Sequence, residues 1–157
     1  MTEDAAILKA TGSLTITDTD TGENQFDTTE DYTGTYGGLT ITADGDWEYT
    51  LDNTGSKVQG LKQGEVVTDV ITVYALDGSA TEDISITITG TNDGPAVASA
   101  INASISDDAG TVSVALLSGA TDEDVADTLM VTGLTLKSGD ATGITVNADN
   151  TLSVAVS

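Results

Sequence analysis

The stretch GLTITADGDWEYTL, residues 38–51, carries the pattern that decides the fold. A strand-like run over residues 39–42 leads into Ala43-Asp44-Gly45-Asp46. Beyond it, Trp47, Tyr49 and Leu51 fall on one side of an extended chain and Glu48, Thr50 and Asp52 on the other. Period two is the repeat of a β-strand with one covered face. Glycine accepts the positive φ that tight hairpin connections demand, so the two runs read as a β-hairpin turning at Asp44-Gly45.

Outward from the hairpin the same period recurs. Leu14 and Ile16 alternate with Ser13, Thr15 and Thr17, which predicts a strand over residues 13–17. Ile84, Ile86 and Ile88 alternate with Ser85, Thr87 and Thr89, which predicts a strand with one buried face. Residues 66–76 are apolar on both parities for much of their length, as VYAL at its end shows, and this pattern predicts a strand covered on both sides. The turn between these last two strands falls in LDGSATED, residues 76–83. No segment sustains a 3.6-residue period, and enrichment in Thr, Val and Ile opposes helix because β-branching restricts χ1. The expected fold is all-β: a β-sandwich in which two half-apolar sheets face each other.

The hairpin stretch has a second copy. GITVNADNTLSVAV, residues 143–156, aligns with residues 38–51 at an offset of 105. TEDA at Thr2 matches SDDA at Ser106, and TDTD at Thr17 matches TDED at Thr121, both at an offset of 104. Three ordered matches at nearly one offset define tandem units, expected at residues 1–94 and 95–157. The second copy stops near the equivalent of Leu51, before counterparts of the strands at 66–76 and 84–89. It therefore reads as a truncated unit, marginally folded unless it pairs with another chain or with the first unit. The boundary lies in SITITGTNDGPAVAS, residues 85–99, which holds the single proline, Pro95. Gly94 is permissive and Pro95 restricted, and the pair predicts an extended joint instead of a long flexible tether.

Composition narrows the function. Lys and Arg number 4 against 26 Asp and Glu, for a formal net charge of -22. Such a field repels nucleic acid and anionic membrane surfaces and attracts cations. Cysteine and histidine are absent, which excludes disulfides, thiol chemistry, imidazole acid–base catalysis and His-ligated metal sites. No run reaches the length of a membrane span, and the first residues lack the basic and apolar regions of a signal peptide, so direct membrane insertion is not expected and any export signal lies elsewhere.

The acids gather near predicted strand ends: Glu3-Asp4; Asp18, Asp20, Glu23 and Asn24; Asp77; Asn92-Asp93; and Asp107-Asp108 with Asp122, Glu123, Asp124 and Asp127. Calcium takes six to eight oxygen ligands with tolerant geometry, and alternating Asp residues in a turn can aim two carboxylates at one ion. The alternative at each place is a solvated loop whose Asp side chains cap local amides. DTDTGEN opens like an EF-hand loop, but its glycine arrives one position early and no helix flanks it. Asp44 and Asp46 are accounted for by the hairpin turn, and Trp47 and Tyr49 by the core. Two carboxylates at the correct separation can form a glycosidase pair. Here, however, the acids recur with the structural period, and no nucleophile elbow, phosphate loop or triad is present. An enzyme is not expected.

GSLTITDTDTG, YGGLTITADGDWEYTLDN, LKQGEVVTDVITVYALDGS and ISITITGTNDGP, in that order between Gly12 and Pro95, resemble the VCBS repeat of very large bacterial surface proteins, including RTX adhesins. Residues 95–157, with SISDDAGTVSVALLSGATDEDVADTLMVTGLTL, resemble the first half of a cadherin-like repeat of the same class. The resemblance implies tandem Ig-like or cadherin-like Greek-key β-sandwiches, exported by type I secretion to the bacterial cell surface, acting as an extracellular extender with Ca2+ stiffening the junctions. It implies ligands among Glu3, Asp4, Asp18, Asp20, Asp77, Asn92 and Asp93 in the first unit, and Asp107, Asp108, Asp122 and Asp124 in the second. The implied partners are adjacent repeats of the same polypeptide. The glycine-rich nonapeptides of RTX calcium rolls are missing. The alternative function is a carbohydrate- or protein-binding module, since β-sandwich loops are often used for recognition.

Overall fold

The computed structural model describes residues 1–17, 22–106, 110–124 and 126–155. Among the described residues the regular structure is mostly β-strand, in several small antiparallel sheets, with one single-turn helix. It divides into two compact units, Met1–Asp93 and Gly94–Ser157.

In the first unit, β1 (Lys9–Ser13), β2 (Gly37–Ile41) and β3 (Asp46–Leu51) form a sheet in the order β1-β3-β2. The β2–β3 hairpin pairs Leu39 with Tyr49 and Ile41 with Trp47. Its turn is closed by Gly45 at φ +96°, and a Cβ there would lie 2.2 Å from the Leu14 carbonyl oxygen. The second sheet is β4 (Val66–Tyr74) against β5 (Thr81–Thr89). The one-turn helix α1 (Ser56–Gln59) buries Val58. One core joins the two sheets: Leu39, Ile41, Tyr49 and Leu51 from the first meet Ile71, Val73, Ile84, Ile86 and Ile88 from the second, with Phe26, Tyr32, Val58 and Leu61 around them. Burial of these side chains, at roughly 1.5–3 kcal/mol each, is the main favourable term in the unit's stability.

Two sequence expectations are corrected. The first strand lies at Lys9–Ser13, not at residues 13–17. Its partner β3 begins at Asp46, opposite Ser13, so the Leu14 amide turns to donate to the Gly45 carbonyl at 3.0 Å. Leu14 and Ile16 still pack against the core from an extended segment. The second correction concerns β4, which is covered on one side only. Ile71 and Val73 are buried, whereas Val66, Val70 and Tyr74 on the other parity are 61%, 53% and 40% exposed. The double-parity pattern arose from valines on a solvent-facing surface, where β-branching satisfies strand propensity without burial.

Asp69 sits on the buried parity of β4 at 2% exposure. Its carboxylate accepts the Thr35 amide at 2.8 Å, the Tyr36 amide at 3.0 Å and the Tyr49 hydroxyl at 2.8 Å. Burial, ahead of the hydrogen bond to Asp69, pushes the Tyr49 phenol well above its ordinary value. The turn before β2 is thereby fastened to β4, and Gly34 permits the approach: a Cβ there would lie 2.2 Å from Asp69 Oδ2.

The second unit repeats the first sheet. β7 (Thr111–Ala115), β9 (Ile144–Val146) and β10 (Thr151–Ala155) are ordered β7-β10-β9. Ile144 pairs with Val154 as Leu39 pairs with Tyr49, preserving the offset of 105. The turns also correspond. Thr42 and Gly45 donate to Asp46 and Thr42, and Asn147 and Asn150 donate to Thr151 and Asn147. Asn150 takes the left-handed position of Gly45 at φ +60°, which asparagine tolerates better than other non-glycine residues. A two-stranded pairing of β6 (Ala96–Val97) with β8 (Ala120–Thr121) completes the unit. Among the described residues its one fully buried side chain is Asp124, and no apolar side chain is buried to the degree seen in the first unit.

Candidate metal centre

The first residues of the chain run parallel to the end of β5. Thr2 bridges Thr89; the Met1 ammonium donates to the Thr87 carbonyl at 2.7 Å, the Thr89 amide to the Met1 carbonyl at 2.9 Å, and the Glu3 amide to the Thr89 carbonyl at 3.0 Å. This pairing carries Glu3 and Asp4 alongside the segment that leaves β5, and so beside Asp93. Ligand oxygens of Glu3, Asp4 and Asp93 all lie within 4.8 Å of one another. Glu3 is buried, Asp93 half-buried and Asp4 exposed, and Glu3 Oε1 and Asp93 Oδ2 are shielded from solvent.

Polar neighbours fix the acids in place. Glu3 Oε2 accepts the Thr91 amide at 3.3 Å. Asp4 and Asn53 bond reciprocally: the Asp4 amide donates to Asn53 Oδ1 at 3.1 Å and Asn53 Nδ2 donates to Asp4 Oδ1 at 2.7 Å. Gln59 Nε2 and the Thr91 hydroxyl each reach Asp4 at 3.4 Å. The Asn53 amide, against the opposing effect of burial and with help from Gln59, Thr91 and Asp93, holds the Asp4 carboxyl below its ordinary range. Asp4 also holds φ +56°, a backbone position that costs a non-glycine residue of order 1 kcal/mol.

Two like charges within 4.8 Å of each other repel by about 3 kcal/mol or more at an effective dielectric constant near 20. A divalent cation between the carboxylates reverses the sign of that interaction. Calcium–oxygen bonds of roughly 2.3–2.6 Å separate opposed ligands by about 5 Å, so three oxygens inside a 4.8 Å circle fit one shell. The donor set is all oxygen and anionic, which suits a hard cation.

Of the other expected ligands in the first unit, the two that are described, Asn92 and Asp77, make hydrogen bonds of their own. Asn92 adjoins the cluster, but its side-chain amide donates to the Asp93 carbonyl and its backbone amide to Gln63 Oε1. Asp77 belongs to the β4–β5 turn, where its carboxylate accepts the Ser79 amide at 3.0 Å; Ser79 depresses its pKa through backbone and side-chain hydrogen bonds. Residues Thr81 to Thr89 separate that turn from Glu3, a strand length of about 26 Å, so Asp77 shares no ion with Glu3 and Asp93 inside one unit. Asp122 accepts the Asp124 amide at 3.1 Å and Asp124 is buried. Asp18, Asp20, Asp107 and Asp108 lie outside the described residues.

Asp77 exemplifies a wider use of the acids. Asp27, Asp31, Asp52, Asp140 and Asp149 each accept both the amide and the hydroxyl of the threonine two residues on. These Asp-x-Thr turns, joined by Asp77 and Ser79, place carboxylates at strand ends for local backbone reasons. Sequence reasoning missed Asn53, Gln59 and Thr91 as supports of the cluster, and Asp69 as a latch. Asp69 carried a signal, being the one acid inside the otherwise apolar and threonine-bearing strand VVTDVITVY; the three supports carried none, because only tertiary pairing brings them to Asp4.

Together the fold and this cluster define an acidic, all-β chain of two units with a candidate hard-cation centre where the first unit's two ends meet. No protein-family model, curated protein or solved structure matches the chain. Among the described residues, no helix is long and apolar enough to cross a membrane.

Proposed function

We propose that this chain is a calcium-stabilised, non-catalytic spacer segment of a large bacterial surface adhesin, composed of a VCBS-type repeat followed by part of a cadherin-like repeat, both Ig-like Greek-key sandwiches. The observation that carries the reading is the convergence of Glu3 and Asp4 with Asp93, residues from opposite ends of the first unit. The motif order between Gly12 and Pro95 and the net charge of -22 support the same reading. Without cation, the clustered carboxylates repel and loosen the segment before Pro95. With calcium, coordination replaces repulsion and couples ion binding to order at the joint. Repetition of such joints stiffens an array whose stability is approximately a sum of unit and neighbour terms. The partners are adjacent repeats of the same polypeptide, and the site of action is the outer surface of the cell after type I secretion.

Small-angle scattering of the full chain in calcium, in magnesium and in chelator, at matched ionic strength, tests this function. A narrower distribution of interatomic distances in calcium alone is expected. Superimposable curves in all three conditions would remove the spacer mechanism, even if the ion binds.

A further inference from the structure

We propose that residues 1–3 and the end of β5 form a force-bearing shear clamp, so that the first unit resists extension through its two ends more strongly than extension in other directions. The argument begins with strand polarity. Residues Met1 to Glu3 pair parallel to β5 around Thr89, while β4 pairs antiparallel to it along its whole length. Tension enters the unit at Met1 and leaves it after Asp93, beyond the end of β5. In a parallel pair loaded at the start of one strand and the end of the other, the strands slide along their axes. Every bond between them is then loaded at once.

Three hydrogen bonds lie across that sliding plane, two between backbone groups, from the Thr89 amide to Met1 O and from the Glu3 amide to Thr89 O, and one from the Met1 ammonium to Thr87 O, at 2.7–3.0 Å. Side chains extend the patch in the direction of pull: Glu3 accepts the Thr91 amide, and Asp4 takes the Thr91 hydroxyl while bonding reciprocally with Asn53. Asn53 follows β3, whose Tyr49 and Leu51 lie in the core, so the load passes into both sheets. By contrast, tension between the start of β4 and the end of β5 meets an antiparallel pair at Val66 and Thr89 and opens it one bonded pair at a time. Resistance to forced unfolding is set by the barrier along the pulled coordinate, not by the equilibrium stability, so one molecule has different strengths along the two directions. The clamp stands on hydrogen bonding and does not depend on the cation reading; a cation held by Glu3, Asp4 and Asp93 would add bonds across the same plane.

The absence of native cysteine lets handles be placed singly in the full chain. One protein carries a cysteine ahead of Met1 and Gly94→Cys; the other carries Lys62→Cys and Gly94→Cys. A side chain at Gly94 meets nothing within 4 Å. Optical-trap unfolding in chelator at one loading rate is expected to give a force at least two-fold higher for the first pair than for the second. Equal forces, or a lower force through the ends, would overturn the clamp. Repeating both pulls in calcium separates the two proposals: a rise confined to the end-to-end direction adds the cation to the clamp, whereas an unchanged two-fold ratio leaves the clamp intact and counts against the metal.

Discussion

Asp69→Ala is the substitution whose consequence the geometry specifies most fully. It withdraws the acceptor from three donors at once, the Thr35 and Tyr36 amides and the Tyr49 hydroxyl, at 2.8–3.0 Å. Tyr49 is 0% exposed, so its hydroxyl is stranded without water. A buried donor left unsatisfied costs about 1–3 kcal/mol; the two amides, being half shielded, belong near the bottom of that range. Relief of the carboxylate's own desolvation offsets part of the total, leaving a net loss of about 3 kcal/mol. A unit of this size has a stability of roughly 5–14 kcal/mol, so the change removes a substantial fraction of it. Tyr49→Phe deletes one donor and leaves Asp69 its two amides, for a loss of about 1 kcal/mol. Equilibrium urea unfolding followed by Trp47, the single tryptophan, reports on this unit because Trp47 lies in β3. The Asp69→Ala midpoint is expected to fall by roughly 1–3 M. A loss below about 1 kcal/mol, or equal losses for the two variants, would refute the latch.

Gly45→Ala places a Cβ at φ +96° and 2.2 Å from the Leu14 carbonyl, and its urea midpoint is expected to report a loss of about 2 kcal/mol. Acid titration followed by circular dichroism tests Asp4, whose folded pKa lies below its ordinary value because of Asn53. Its stabilising contribution is present above the unfolded value, near pH 4, and is lost as pH falls through the depressed folded value. Asp4→Asn should flatten that part of the acid limb. Amide exchange should show the strongest protection at core strands β3 and β5 and weak protection at β7, β9 and β10, since the second unit has no fully buried apolar side chain among its described residues. Equal protection in both units would contradict this.

The β2–β3 hairpin and β5 were legible in the sequence because alternation and a turn glycine act locally. The repeat was legible for the same reason, and the bond-for-bond agreement of the turns at residues 42–46 and 147–151 shows what the offset of 105 preserves. Residues 13–17 alternate as a strand would, yet β1 precedes them because the length of β3 limits what can pair. Valine on both parities of β4 reported strand propensity, and only the opposing sheet decided which parity was buried. At the cluster, the sequence marked Glu3, Asp4 and Asp93 as acids near strand ends, alongside Asp77, whose carboxylate is occupied by its own turn. What separates them is the parallel pairing of Thr2 with Thr89, a contact across most of the unit with no local signature.

The most direct test of the cation centre is calorimetric titration of the full chain with calcium, with magnesium and monovalent salt as controls, repeated on Glu3→Gln and Asp93→Asn. Calcium is expected to bind saturably in the original chain, with each variant losing the component assigned to this cluster while retaining the folded spectrum of the first unit. Calcium heats that match the salt controls, or that persist unchanged in both variants, would contradict a metal centre at Glu3, Asp4 and Asp93.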